Sequence, residues 1–219
     1  MIKQNNSIKW LHWKSLNIGR IRVMQKKLLE LEKQLHSTLK ESRFIHTQGV
    51  RYTAAALAMC HGQNIIHAQI AGILHDCAKG FSDEKLLEIC EEQQIEISTA
   101  ELEAPYLLHA KVGAYLAEQQ YGIKEQEILS GIRYHTTGKA GMTPLEQIIF
   151  IADYIEPNRR EIPGLEECRR LAFEDLDKAT YYILKNTLLY LQETKGEDKI
   201  DPVTKEAYFY YKELCKEGE

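Results

Sequence analysis

Histidine and aspartate side chains interrupt three stretches of the chain that otherwise read as apolar helix. His75 and Asp76 lie in AQIAGILHDCAK, Asp153 lies in QIIFIADYIE, and His46 lies in RFIHTQGV. A carboxylate in a buried setting is costly unless a partner offsets its desolvation. A bound cation would do so. The spacing H…HD…D therefore predicts that these four residues hold a metal ion.

The ligand types narrow the choice of metal. Two imidazoles and two carboxylates suit borderline first-row ions such as iron, manganese, cobalt, nickel or zinc, and argue against calcium or magnesium alone. The five cysteines are odd in number and show no CxxC spacing. That pattern favours reduced thiols over disulfides or a structural zinc site. Cys77, beside Asp76, is expected to be a small core residue.

The composition is typical of a globular protein with one domain. The chain has 219 residues, of which 44% are hydrophobic and 27% charged, so it can bury a core. The net charge of -4 argues against a surface built for nucleic acid. No apolar run reaches the length of about 18 residues that a membrane helix needs, and no signal-peptide core is visible. We therefore expect a cytoplasmic protein that does not bind membranes.

Residues 1–23 differ from the rest of the chain because they contain lysine and arginine but no aspartate or glutamate. Such a basic segment could contact RNA or another anion. A disordered or loosely attached extension is the simpler interpretation. We predict a basic extension at 1–23 and a metal-dependent domain at 24–219.

The remaining sequence is a succession of amphipathic segments, which predicts an all-α fold. No segment alternates with period two for long enough to indicate a sheet. Gly62 and Gly80 are predicted to end helices, and Ser82 is a predicted N-cap. The predicted helices are 24–41, 47–60, 64–79, 82–94, 105–120, 125–135, 143–155, 165–192 and 202–216.

Longer segments carry a resemblance to a known family. They are RFIHTQGV (43–50), AGILHDCAK (71–79), LLHAKVGAYL (107–116), IRYHTTGKAGMTPLE (132–146), FIADYIEPNRR (150–160) and DPVTKEAYFYY (201–211). The sequence resembles the HD-domain metal-dependent phosphohydrolases. Within that superfamily it is similar to the YqeK family of symmetrical bis(5'-nucleosyl)-tetraphosphatases. The resemblance covers nearly all residues after about residue 24. It gives no information about the N-terminal extension.

The resemblance implies an HD-domain helical bundle that hydrolyses diadenosine tetraphosphate, or a related dinucleoside tetraphosphate, to two molecules of ADP. It implies a metal, usually iron, on His46, His75, Asp76 and Asp153. It also implies a nucleoside-diphosphate pocket. The residues implied for that pocket are His46, Gly49, Asp76, His109, His135, Asp153, Arg159, Asp201, Pro202, Val203 and Thr204.

The residue types support a mechanism for such a reaction. A metal lowers the pKa of a bound water, and the resulting hydroxide would attack a β-phosphorus beside Asp76. His109 or His135 would protonate the leaving phosphate, or the two could complete a second metal site. Lys79 could reach a phosphate or pair with a carboxylate. Arg159 could fork onto a phosphate, whereas Arg160 is expected to face solvent or form a salt bridge.

Two other functions stay open at this stage. One is a different HD-domain activity, such as a nucleotidase or a cyclic-nucleotide phosphodiesterase. The other is a nucleotide sensor or an RNA-associated regulator without catalysis. The complete H…HD…D set argues against a sensor, and the long segments YHTTGKAG and IEPNR favour the symmetrical hydrolase. A homodimer also stays open.

Overall fold

Every regular element in the part of the chain that the computed structural model describes, residues 22–196 and 200–217, is helical. The first described helix, α1, spans residues 22–38. The others are α2 (Glu41–Cys60), α3 (Ile65–Leu74), α4 (Asp83–Glu92), α5 (Thr99–Glu103), a 3-10 turn (Pro105–Leu108), α6 (His109–Gln119), α7 (Gln126–Tyr134), α8 (Pro144–Ile155), α9 (Leu165–Ala172), α10 (Leu176–Lys195) and α11 (Pro202–Glu217). The all-α prediction is confirmed.

The described helices include none with the length and apolarity that crossing a membrane requires.

The predicted basic extension falls almost wholly on residues 1–21, which lie outside the described residues. Its last two positions, Arg22 and Val23, belong to α1. The helical spacing of Leu28, Leu31 and Leu35 predicts an apolar stripe on that helix, and all three are buried in the main core.

The predicted helix 64–79 is wrong at its C-terminal end, because α3 stops at Leu74. Beyond that point the backbone changes to four-residue turns: the Cys77 N–H donates to the Leu74 carbonyl at 3.0 Å, and the Lys79 N–H donates to the Asp76 carbonyl at 3.0 Å. His75 and Asp76 therefore lie on tight turns and not on a helix wall. Both side chains are buried there.

Two further helix predictions need correction. The segment 165–192 forms two helices, because Asp175 caps α10 by accepting a hydrogen bond from the Lys178 N–H at 3.0 Å. The short helix α5 was not predicted. Its Ser98 and Glu101 form a capping box, in which each side chain accepts a hydrogen bond from the other residue's N–H.

The core centres on α2, α3 and α8. Gly72 permits the close approach of α3 to α2, since an added Cβ would lie 3.0 Å from the Arg51 Cα. Apolar side chains of α3 and α8 fill the space between them; the fully buried ones include Ile70, Ile73, Leu74, Ile148, Ile149 and Ile151. Each contributes roughly 1.5–3 kcal/mol by leaving water. This packing brings the end of α3, which carries His75, against the walls of α2 and α8.

Candidate metal centre

Four imidazoles from four different segments meet at the centre of the molecule. His46 lies on α2, His75 follows α3, His109 begins α6 and His135 follows α7. Neighbouring rings contact edge to face, with centroids 5.3 Å apart for His46 and His75, 4.9 Å for His75 and His135, and 5.1 Å for His109 and His135. Asp76 and Asp153 lie among them. The structure thus brings together all six histidines and aspartates predicted for this site.

Each of these histidines uses its Nδ1 atom for a hydrogen bond at the edge of the cluster. In three of them the acceptor is the carbonyl three residues earlier: His75 to Gly72 at 2.7 Å, His109 to Tyr106 at 2.6 Å, and His135 to Ile132 at 2.7 Å. A carbonyl can only accept, so Nδ1 carries the proton in these rings. Their Nε2 atoms are left to face the interior, where a metal ligand needs a lone pair.

The first group of candidate ligand atoms contains His46, His75 and Asp153. The His46 Nε2 lies 3.0 Å from Asp153 Oδ1, and the His75 Nε2 lies 3.8 Å from the same oxygen. Both Nε2 atoms are buried without a properly oriented hydrogen-bond partner. Buried polar atoms normally have a partner. Two such nitrogens that share one carboxylate fit a cation between them.

The second group contains His75, Asp76 and His135 and shares the His75 ring with the first. Asp76 bridges the groups: its Oδ2 lies 3.5 Å from the His75 Nε2, and its Oδ1 lies 3.3 Å from the His109 Nε2 and 3.7 Å from the His135 Nε2. The Thr136 hydroxyl lies 3.1 Å from the His135 Nε2. The arrangement can hold one ion between Asp153 and Asp76. It can also hold a second ion near His135.

Burial and neighbouring charges shift the pKa values of several groups in the site. Burial raises the pKa of Asp76, but the surrounding imidazoles, His75 first among them, hold it well below its usual range. Burial also raises the pKa of Asp153, and the contact with His46 and the charge of His75 outweigh it, so that pKa is lowered as well. Both carboxylates are therefore ionised at neutral pH. Burial lowers the pKa of His109, which favours its neutral form.

Arginine side chains line a cavity of about 450 Å³ beside the cluster. Arg43 donates to Asp76 Oδ2 at 2.6 Å, a contact that the sequence interpretation missed. Arg159 lies 4.0 Å from Asp153 Oδ1, and its guanidinium is 5.9 Å from the centre of the Tyr154 ring. Arg160 is exposed, as predicted, and lines the same cavity. Three guanidiniums thus face one opening next to the predicted ligands.

Comparison with known proteins decides the family. The HD domain matches residues 43–158, which is more than half of the chain. The chain belongs to the HD-domain family. The matched residues run from Arg43 to Asn158 and so include every histidine and aspartate of the cluster. The resemblance predicted from the motifs is confirmed.

Individual HD-domain relatives cover most of the chain. The chain is 42% identical over 173 residues to a protein of Bacillus subtilis named bis(5'-nucleosyl)-tetraphosphatase, symmetrical, covering 79% of this chain and 89% of that protein. A protein of the same name from Halalkalibacterium halodurans is 40% identical, with 78% and 89% covered. The crystal structure of a predicted HD superfamily hydrolase involved in NAD metabolism, from Clostridium acetobutylicum, superimposes with a TM-score of 0.80 and 38% identity, covering 84% of this chain and 96% of that one.

Membership of the HD-domain family implies a divalent metal. The donor set of this chain fits one: two buried Nε2 atoms without hydrogen-bond partners converge on two ionised carboxylates. The assignment of His46, His75, Asp76 and Asp153 as its ligands stays a prediction.

Glu156 is a second residue that the sequence interpretation missed in this HD domain. It follows α8, its side chain is almost fully buried, and its Oε1 lies 3.1 Å from the His46 Nδ1. Gly49, predicted to contact nucleotide, has another structural consequence: an added Cβ would collide with Oε2 of Glu156. The position of Glu156 three residues after Asp153 was the available signal. Its role depends on a contact across 110 residues of sequence.

Lys79 contacts the His109 imidazole, with its Nζ 3.2 Å from Nε2. Burial lowers the pKa of this lysine, while the charge of Asp76 raises it; the result is below the ordinary value. Residues 75–80 form turns, so Lys79 does not lie on the helix that was predicted for 64–79. Its nearest partner is therefore an imidazole and not a carboxylate.

The last four residues implied for the nucleotide pocket, 201–204, lie at the start of α11. Asp201 accepts hydrogen bonds from the Val203 N–H at 2.8 Å and from the Ser98 hydroxyl at 3.3 Å, and so links α11 to α5. Pro202 is the first residue of the helix, and Thr204 is buried. Their contact with a nucleotide stays a prediction.

Proposed function

We propose that this protein hydrolyses dinucleoside tetraphosphates symmetrically, converting diadenosine tetraphosphate into two molecules of ADP. The observation that carries the proposal is the juxtaposition of the buried His and Asp cluster with the cavity lined by arginines. The HD-domain relatives named symmetrical bis(5'-nucleosyl)-tetraphosphatases support the same reaction. The cluster can hold the catalytic ion, and the arginines can hold the phosphates.

The proposed metal ligands are His46, His75, Asp76 and Asp153, and we propose iron as the metal. A divalent ion there would act as a Lewis acid toward a phosphoryl oxygen and would lower the pKa of water. The choice of iron over manganese, cobalt, nickel or zinc rests on the family resemblance. Metal analysis of protein purified without added metal tests that choice.

The arginines would position the polyphosphate. Arg43 and Arg159 each lie beside a carboxylate of the cluster, so a phosphate bound by them would lie next to the proposed metal. A guanidinium can fork onto two phosphate oxygens and can stabilise the charge that develops on them. Arg160, on the same rim, would contact the more distant phosphates.

The proton for the leaving phosphate would come from the group formed by Lys79, His109 and His135. The His109 and His135 Nε2 atoms lie 3.2 Å apart, and Lys79 Nζ lies 3.2 Å from that of His109. Because burial favours neutral His109, we propose that the ammonium of Lys79 holds the proton and that His109 orients it. Gly49, Asp201, Pro202, Val203 and Thr204 complete the proposed nucleotide pocket.

Product analysis by ion-pair chromatography tests the proposed function. Metal-loaded protein incubated with diadenosine tetraphosphate should yield ADP alone, and diadenosine pentaphosphate should yield ADP and ATP, because a nucleoside diphosphate is recognised beside the metal. An Asp153→Ala variant prepared in parallel controls for contaminating phosphatases. Equal amounts of ATP and AMP from the tetraphosphate would contradict symmetrical cleavage. An untouched tetraphosphate would instead favour another HD-domain phosphatase or phosphodiesterase.

The location and assembly of the protein also stay predictions. We propose a cytoplasmic enzyme that acts on small dinucleotides, without a nucleic-acid or membrane partner. A homodimer is a further prediction, which sedimentation analysis of the purified protein tests.

A further inference from the structure

Glu156 occupies a position that the proposed ligand set does not explain. Only 1% of this residue is exposed. Its carboxylate contacts the Nδ1 of His46, which is not the nitrogen that faces Asp153. A buried carboxylate needs hydrogen-bond donors to offset the loss of hydration. The hydrogen-bond donors that surround the Glu156 carboxylate therefore indicate its role.

Both oxygens of Glu156 are used. Oε2 accepts from the backbone N–H of Asn158 at 2.7 Å and from its side-chain amide at 3.1 Å. Oε1 is left to face the His46 Nδ1 at 3.1 Å. Since a carboxylate only accepts, Nδ1 donates a proton to Glu156. The Nε2 faces Asp153 Oδ1 at 3.0 Å, and a cation between these two atoms would take the place of an Nε2 proton.

The backbone around Glu156 is held as firmly as its side chain. The Glu156 N–H donates to the Ala152 carbonyl at 3.1 Å, and Arg169 donates to the Ile155 carbonyl at 3.2 Å and to the Glu156 carbonyl at 3.4 Å. The end of α8 is thereby fixed against α9. The carboxylate therefore reaches His46 from a fixed position.

His46 differs from the other three histidines in this respect. Their Nδ1 protons bond to carbonyls of their own segments three residues earlier, whereas His46 lies in the middle of α2, where backbone carbonyls are engaged in the helix. It needs an acceptor from elsewhere in the fold. Gly49 leaves the space for that acceptor, because a Cβ at this position would collide with Glu156 Oε2.

We infer that Glu156 is a positioning residue that sets the tautomer and orientation of His46 for metal binding, and that Gly49 is required to admit it. A carboxylate on the far nitrogen of a ligating imidazole also makes that ligand more basic, and loss of such a partner typically weakens metal binding about 10–100-fold. The inference rests on the proposed metal-dependent function. It assigns Gly49 a role in the metal site in addition to its predicted nucleotide contact.

The Glu156→Gln variant tests the inference with minimal change in shape. If its amide oxygen keeps the two Asn158 donors, its NH₂ group faces the His46 Nδ1 and favours the proton on Nε2, where the metal must bind. Titration calorimetry with cobalt(II) chloride should show an affinity about 10–100-fold weaker than that of the unaltered protein. Glu161→Gln, in the same loop but exposed, is the matched control and should bind cobalt(II) normally.

Gly49→Ala tests the same contact from the other side and should reproduce the weaker cobalt(II) binding. Gly80→Ala is its control, since an added Cβ there would meet no atom within 4 Å. Nitrogen-15 NMR of the unaltered protein loaded with zinc(II) chloride is independent of any variant's folding. It should show His46 bound to zinc through Nε2 with its proton on Nδ1, and a His46 bound through Nδ1 would overturn the inference.

These readouts separate the inference from the proposed function because none of them requires turnover. Cobalt(II) affinities of Glu156→Gln and Gly49→Ala within twofold of the unaltered protein would overturn the inference, even if ADP is formed from the tetraphosphate. Cobalt(II) binding that depends on Glu156, together with the expected tautomer, would support it even if product analysis contradicts symmetrical hydrolysis.

Discussion

At the scale of single residues, the site depends on which nitrogen of each imidazole is engaged. Three of the four central histidines anchor Nδ1 on a carbonyl of their own segment, and the fourth uses Glu156. All four Nε2 atoms then face two carboxylates whose pKa values lie below the usual range. The histidines are thus arranged as lone-pair donors toward a cation.

Asp76→Ala should remove most of the bound metal and lower turnover by about 10³-fold or more, equivalent to roughly 4 kcal/mol, because the carboxylate links both ligand groups. Metal content by mass spectrometry and the rate of ADP release measure the two effects. The exposed Asp83→Ala is the control. Near-normal activity of metal-replete Asp76→Ala would argue against a hydrolytic metal on this aspartate.

His109→Ala should lower turnover while metal content stays close to one equivalent per chain, because His109 belongs to neither group of candidate ligand atoms. The same two measurements apply. Loss of metal in this variant would instead assign His109 to a metal site, as the alternative with two ions requires.

At the scale of elements, the site lies where helices end. His75 and His135 follow the last residues of α3 and α7, and His109 is the first residue of α6. The position of α8, which carries Asp153, depends on its N-terminus. There Thr143 and Glu146 form a capping box, and Lys139 bonds to Glu146 Oε1 at 2.9 Å.

Glu146→Gln tests the contribution of that carboxylate through pH. Burial raises the pKa of Glu146, but hydrogen bonds from Ser130 and Lys139 outweigh it and hold the pKa below 4.5. A carboxyl whose pKa is lowered by folding stabilises the protein above its unfolded pKa and loses that contribution as pH falls through the folded pKa. Gln can keep the capping box but loses the charge that bonds to Lys139, so the variant should unfold more easily by about 1.5 kcal/mol near pH 7.

Urea unfolding at several pH values provides the measurement. The difference between Glu146→Gln and the unaltered protein should shrink as the pH falls through the lowered pKa of the folded carboxyl. Glu166→Gln is the control because its side chain is 88% exposed. A difference that stays constant with pH would show that the ionised carboxyl does not contribute.

At the scale of the whole molecule, the proposed ion would hold distant segments of the chain together. Its predicted ligands come from α2, from the turn after α3 and from α8, which are also the centre of the core. Ligand binding to the folded state alone stabilises it by about 2.7 kcal/mol at 100 times the dissociation constant. The metal should therefore act on global unfolding.

Manganese(II) added to protein treated with chelator should raise the melting temperature by about 5–10 °C under those conditions, since 1 kcal/mol corresponds to roughly 2–4 °C for a domain of this size. Differential scanning fluorimetry measures the shift. Asp153→Ala, which lacks one predicted ligand, should show little change. An equal shift in both proteins would place the stabilising ion elsewhere.

The local signals in the sequence were sufficient for much of the fold. The all-α class, the cap at Ser82 and the apolar stripe of α1 follow from periodicity and hydrogen bonding within a few residues. The predictions for 64–79 and 165–192 were wrong because the apolar residues keep their helical spacing across a tight turn. The spacing therefore does not reveal that the helix has ended. Only the packing of His75 against other segments reveals that α3 has ended.

The sequence by itself determined the chemical types of the site, since histidine and aspartate inside apolar segments indicate a buried cation wherever the chain folds. Tertiary structure decided which nitrogen of each imidazole faces the interior, how Arg43 meets Asp76, and why His46 needs Glu156. The physical reason is how far apart along the chain the interacting residues lie. A cap or a turn is satisfied by neighbours along the chain, whereas the Glu156 contact joins residues 110 positions apart and exists only once α2 and α8 pack together.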